Sequence, residues 1–212
     1  MTDSGNDAGR MLTQLKNEDV TRLRTSYFKR LLTALGESVS ARKAILIDKL
    51  PLNLIDLPFI LRVFPDCRLI VALRDPRDVC LSCFMQDFRL NSEMAHFLTL
   101  PDTARFYEVV MSFYLQLRPL IQVPHIEIRY EDTVADLTTQ SQRLTEFLGV
   151  PWEENMLQFH EQAQQRQIST PSYEAVRKPI NRQAVARWKR YEKYFGDVLP
   201  NLQRFIDEFG YE

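Results

Sequence analysis

Residues 68–82 constrain this chain more than any other stretch. Leu69-Ile70-Val71-Ala72-Leu73 is an apolar run of strand length that stops abruptly at Arg74-Asp75-Pro76-Arg77-Asp78, and Val79-Cys80-Leu81-Ser82-Cys83-Phe84-Met85 follows. The pattern predicts a buried strand that turns directly into a helix. Proline suits the first helical position because its missing N–H would have no intrahelical partner there, so Asp75 reads as the cap and Pro76 as the first residue. Arg74 and Arg77 then sit at the strand-to-helix turn. A helix N-terminus offers unpaired N–H groups and partial positive charge, the setting in which phosphate-like anions bind. Ser82, about two turns further along, adds a hydroxyl donor on the same helix.

The flanking chain supplies a framework for that turn. Residues 1–10 read as a disordered tail and residues 11–212 as one α/β domain. From Met11 the positions Leu12, Leu15, Val20, Leu23, Tyr27, Phe28, Leu31, Leu32 and Leu35 follow helical spacing up to Gly36. Residues 44–47 are a continuous apolar run, expected as a strand buried on both faces and ending in Asp48 and Lys49. Asn53 is placed to cap a helix reaching about Phe64. A long helix is expected over 103–121, a strand over 126–130 ending at Tyr130, and a helix over 136–148 stopped by Gly149. Pro151-Trp152 opens another helix, residues 166–179 read as a long loop, and 182–188 and 197–209 read as helical. Strands alternating with helices indicate a parallel sheet, in which ligands bind beyond the carboxyl ends of the strands. Three such ends would meet: Asp48 and Lys49, Arg74 and Arg77, and Tyr130.

Composition narrows the function classes. The 212 residues are 45% hydrophobic and 26% charged, with a formal net charge of -1, so a general nucleic-acid or membrane-surface binder is disfavoured and any anion site must be local. Cys67, Cys80 and Cys83 are too few and too odd a set for a disulfide framework and fit a reducing compartment. No second cysteine or histidine pair completes a zinc site with Cys80-x-x-Cys83, and His96, His125 and His160 are scattered, so no metal is expected. No apolar stretch approaches the roughly 20 residues of a membrane span. The polar start lacks a signal-peptide core, and the expected location is cytoplasmic.

Lys49, Arg74, Ser82, Arg177 and Lys178 together make a cationic rim suited to a ligand with separated phosphate or sulfate groups. These residues stand within a broader resemblance. Asp48-Lys49-Leu50-Pro51-Leu52-Asn53, Phe64-Pro65-Asp66, Arg74-Asp75-Pro76-Arg77-Asp78 with Ser82, Arg129-Tyr130-Glu131-Asp132, Gly149-Val150-Pro151-Trp152 and Lys178-Pro179-Ile180-Asn181 occur in this order. As a set they resemble the sulfotransferases, and within them the tyrosylprotein type and its bacterial relatives, often joined to tetratricopeptide repeats.

The resemblance implies a P-loop-like α/β fold with a parallel sheet, flanking helices and further C-terminal helices. It implies transfer of a sulfuryl group from 3′-phosphoadenosine 5′-phosphosulfate to a hydroxyl acceptor, a small molecule or a tyrosine peptide, without a metal. Arg74 and Ser82 match the pair that grips the 3′-phosphate, Lys49 the lysine that stabilises charge on the bridging oxygen, and Tyr130 a residue near the nucleotide. Ser172 and Lys178 match the loop that closes on the phosphates.

The sequence departs from the family at one point. The glycine-rich loop that cradles the 5′-phosphosulfate, and the carboxylate base just after it, have no counterpart, since Gly5, Gly9 and Gly36 neither follow a strand nor precede a matching helix. The expectation is therefore an N-terminally incomplete domain lacking the usual first strand, completed by a complementing N-terminal segment or a second copy. The alternative activity is that of a non-catalytic remnant or nucleotide-binding module. A P-loop kinase or NTPase is disfavoured because no Gly-x-x-x-x-Gly-Lys-Ser/Thr match exists. Glu131 and Asp132, as a strand-end acidic pair, read as a helix cap rather than a substitute base.

Overall fold

The computed structural model describes residues 12–35, 45–164 and 177–212. The chain is α/β and divides into two compact units, Met1–Cys67 with Phe113–Pro124, and Arg68–Ser112 with His125–Glu212.

In the first unit, helix α1 (Asn17–Leu35) packs against the short helix α2 (Leu57–Val63). The helical spacing of Val20, Leu23, Tyr27 and Phe28 puts their side chains on one face. Tyr27 and Phe28 meet Phe64 edge-on at 5.0 and 6.0 Å between ring centroids. The expected strand at 44–47 does not form in its described part. Residues 45–47 are irregular, and Ile45, Leu46 and Ile47 are 54%, 42% and 77% exposed. An apolar run becomes a strand only when a neighbour takes its N–H and C=O groups, and no strand pairs with this one among the described residues. Nor does Asn53 cap a helix. It lies in a 3-10 turn, Pro51–Leu54, and α2 begins after Asp56, which makes no side-chain cap. Pro58 explains the break, because a proline ring deeper in a helix would clash with the carbonyl four residues earlier.

The second unit carries the sheet. Strand β1 (Leu69–Leu73) runs parallel to β2 (His125–Arg129), with Leu69 opposite His125 and Leu73 opposite Arg129. β1 passes into α3 (Pro76–Phe84), and α4 (Leu100–Leu117) lies on the crossover to β2. Then come α5 (Tyr130–Ala135), α6 (Leu137–Leu148), α7 (Phe159–Gln164), a 3-10 segment (Arg187–Tyr194) and α8 (Leu199–Glu208). Helix α6 has both of its ends written locally. Asp136 accepts the Thr139 N–H at its start, and Gly149 in the left-handed region (φ 71°) lets the Gly149 and Val150 amides bond back to Glu146 and Thr145. The helix expected after Pro151-Trp152 starts as a 3-10 turn at Glu154 and becomes α7. Residues 182–186 are turn rather than helix, because Ala186 adopts φ 52°, which interrupts any right-handed helix.

The core of this unit collects Val71 and Leu73 from β1, Cys80 and Leu81 from α3, and Leu202, Phe205 and Ile206 from α8. Tyr107 stands edge-on to Phe205 at 5.5 Å, and Trp188 to Phe195 at 5.9 Å. Burial raises the thiols of α3: Cys80 is pushed well above its ordinary value and Cys83 up to about 11. A thiol kept neutral by folding loses nothing while the unfolded thiol is also neutral. As pH rises through the unfolded value near 9.0 the unfolded chain ionises first, so stability is expected to fall between there and about 11. Urea denaturation across that range checks this. Little uptake of a thiol reagent at Cys80 and Cys83 in the native chain near neutral pH is the companion result.

Candidate anion site at the strand-to-helix turn

The parallel register brings the residues after the two strands side by side. Arg74 follows β1 and Tyr130 follows β2, and the Arg74 guanidinium lies over the Tyr130 ring at 4.9 Å. One guanidinium nitrogen donates to the Ala184 carbonyl at 2.6 Å and stands 3.9 Å from Asp78 Oδ2. The Arg74 side chain is 22% exposed, and its Nε is buried without a hydrogen-bond partner among the described residues. A stacked, partly exposed arginine with an unsatisfied donor is suited to receive an oxyanion.

Local chemistry shapes the rest of the turn. Asp75 caps α3, its Oδ1 accepting the Arg77 N–H at 2.9 Å, with Pro76 first in the helix. The same carboxylate takes two bonds from the Arg77 guanidinium, at 2.9 and 2.7 Å. Arg77 also donates to the Glu212 main-chain oxygen at 2.6 Å and lies over the Trp188 ring at 4.0 Å. Of the two arginines at the turn, Arg77 is thus buried in an internal ion pair, and only Arg74 faces outward. One of the free amides of α3 is already taken by Asp75, so part of the helix N-terminus is satisfied internally.

Two further carboxylates lock the turn in place. Glu131 accepts the Asp75 N–H and the Tyr211 hydroxyl, both at 3.0 Å, so it ties the start of α5 to the turn and to the last residues described. Tyr211 is correspondingly raised above its ordinary value, by burial first and then by Glu131. Asp78 has a fully buried side chain whose Oδ1 accepts the Trp188 N–H at 2.8 Å. Burial lifts its carboxyl above the ordinary range, against the Trp188 amide and Arg74, which favour the charged form.

The other sequence-derived candidates are placed as follows. Ser82 lies on α3 and is half-buried. Lys178 is exposed, and after it Asn181 forms a local turn, donating to the Pro179 carbonyl and accepting the Gln183 N–H, which leads the chain to Ala184. Ser172 lies outside the described residues. Lys49 is exposed and belongs to the first unit. Its neighbour Asp48 is bonded to the Tyr27 hydroxyl at 2.8 Å, and the strand end at which Lys49 was expected is irregular chain. Sequence reasoning passed over Trp188 and Ala184. A lone tryptophan within the basic run Arg187-Trp188-Lys189-Arg190 was the one available signal, since such a ring is an obvious partner for a buried cation. No group of His, Cys, Asp and Glu that could hold a metal, and no helix long and apolar enough to cross a membrane, occurs among the described residues.

A family model described as "Sulfotransferase family" matches residues 2–154, which include Lys49, Arg74, Ser82 and Tyr130. A protein of Aquifex aeolicus (strain VF5), designated only "Uncharacterized protein", is 30% identical over 162 residues, or 74% of this chain. The chain spans 21% of that relative's length.

Proposed function

The chain belongs to the sulfotransferase family, and from that premise we propose that it serves the transfer of a sulfuryl group from 3′-phosphoadenosine 5′-phosphosulfate to a hydroxyl acceptor, on a P-loop-like sheet. The observation that carries this reading is Arg74, held over Tyr130 at the carboxyl ends of two parallel strands with a buried, unsatisfied Nε. In this reading Arg74 and Ser82 grip the 3′-phosphate, Tyr130 sets the plane of the guanidinium, and Ser172 and Lys178 close over the phosphates. Lys49 donates to the bridging oxygen as the sulfur–oxygen bond to the nucleotide breaks and a new one forms to the acceptor. The acceptor proton leaves to solvent. The protein's contribution is positioning and charge stabilisation rather than covalent chemistry.

A second reading, a nucleotide-binding module without transfer, is favoured by one observation. The strands among the described residues end in Arg74-Asp75-Pro76 and Tyr130-Glu131-Asp132, and neither end is a glycine-rich turn. Labelled donor with a phenol or a tyrosine peptide separates the two, because turnover is expected only under the first.

Calorimetric titration of the full chain with adenosine 3′,5′-bisphosphate tests what both readings share. Binding is expected in the micromolar range, weakened roughly tenfold to hundredfold in Arg74→Ala, as for loss of a charge-assisted bond. A folded chain that binds no bisphosphate, or binds it equally well without Arg74, overturns the proposal.

A further inference from the structure

Asp78 is the group that the phosphate-binding reading leaves unused. Its side chain has 0% exposure, and its Oδ2 is buried with no hydrogen-bond partner among the described residues, 3.9 Å from the Arg74 guanidinium. Its Oδ1 receives the Trp188 N–H at 2.8 Å. Ala186 is the one described non-glycine residue with positive φ, at 52°. Such a conformation is strained for an L-residue and persists only where surrounding contacts over-determine it. Two residues further on, the Trp188 amide of the same short segment reaches the Asp78 carboxylate. The same segment presents the Ala184 carbonyl that receives Arg74 at 2.6 Å.

We infer that Asp78 is a positioning residue for Arg74, acting by its own charge and by anchoring residues 184–188, whose Ala184 carbonyl holds the guanidinium over Tyr130. The inference rests on the reading of Arg74 as a phosphate ligand and adds how that arginine is aimed. It also means that the stretch leading from Lys178 is fastened to the phosphate turn by the same carboxylate. Charge and anchoring are separable, since asparagine keeps an acceptor for the Trp188 amide but removes the negative charge.

The sign of the effect decides between positioning and simple electrostatics. A carboxylate close to a bound phosphate repels it, so removing that charge would tighten binding if repulsion were all that mattered. Positioning predicts the reverse. In titrations of the full chain, Asp78→Asn is expected to weaken adenosine 3′,5′-bisphosphate about tenfold, within the usual range of coupling between residues in contact. Adenosine 5′-monophosphate, which has no 3′-phosphate, should be unaffected. In an Arg74→Ala background the asparagine should cost nothing further. Unchanged or tighter bisphosphate binding, equal loss for both nucleotides, or the same loss without Arg74 would each overturn the inference. Asp78→Glu, which keeps the charge but shifts it by a methylene, replaces the asparagine if that variant does not fold, with a smaller loss of the same selective kind.

A second measurement needs no nucleotide. The Arg74 Nε–H resonance should show hindered guanidinium rotation in the native chain and free rotation in Asp78→Asn. Hindered rotation in both would sink the inference even where nucleotide binds. A wild-type chain that binds no bisphosphate yet shows the loss of hindrance would instead overturn the proposed function and leave the positioning role standing.

Discussion

Arg77→Ala is expected to destabilise the folded chain by about 3–5 kcal/mol, the usual consequence of leaving a buried charge without its partner. The side chains of Arg77 and Asp75 are only 7% and 9% exposed, so water cannot replace the two bonds that the guanidinium makes to the carboxylate. The same substitution removes the stack on Trp188 and the donor to the Glu212 oxygen. Lysine is not a substitute, because an ammonium cannot bond both carboxylate oxygens in one plane while stacking on the indole. Urea denaturation followed by tryptophan fluorescence measures the loss. The double variant Asp75→Asn/Arg77→Met should recover part of it, because no charge is then stranded, and the asparagine still caps α3. A single variant within about 0.5 kcal/mol of the parent would show that the pair carries no stability.

Lys49→Ala addresses the chemistry rather than the fold. If the chain transfers a sulfuryl group, losing this lysine is expected to lower the turnover rate by about 10²–10³-fold, the range for removing one donor that meets charge developing in the transition state. Bisphosphate affinity and thermal stability should hardly change. Exposure makes the test clean, since Lys49 is solvent-exposed and its truncation leaves no cavity. A rise in the Michaelis constant alone, with the turnover rate intact, would assign Lys49 to binding instead, and both constants unaltered would remove it from the mechanism.

The turn that organises the second unit was legible because its signals are local. Asp75 and Pro76 are adjacent in sequence to the strand they follow, and capping and proline geometry act over two or three residues. The same holds for α6, where Asp136 and Gly149 mark the two ends. The run at 44–47 misled for a related reason. Its apolarity is a local property, whereas being a strand depends on a partner that supplies hydrogen bonds, and residues 45–47 have none in the described chain. Residues 182–186 misled because a single left-handed residue, Ala186, overrides helical propensity in a segment tied to a distant carboxylate through the Trp188 amide.

Sequence by itself determined that a strand runs into a capped helix with two arginines at the junction and that a second strand of the same sense leads into Tyr130, which opens a helix; it overstated the first strand's burial, since Ile70 and Ala72 are exposed. Those facts follow from side-chain periodicity and from which residues tolerate a helix start. Only the tertiary structure decided which arginine is available to an anion. Arg77 and Arg74 look alike in sequence, yet Arg77 is consumed by Asp75, Trp188 and a carbonyl 135 residues away, while Arg74 is turned outward over Tyr130 by a carbonyl 110 residues away. Burial makes that difference. A guanidinium sealed among protein acceptors has no donors to spare, whereas one stacked at the strand ends keeps a donor, Nε, that folding did not satisfy.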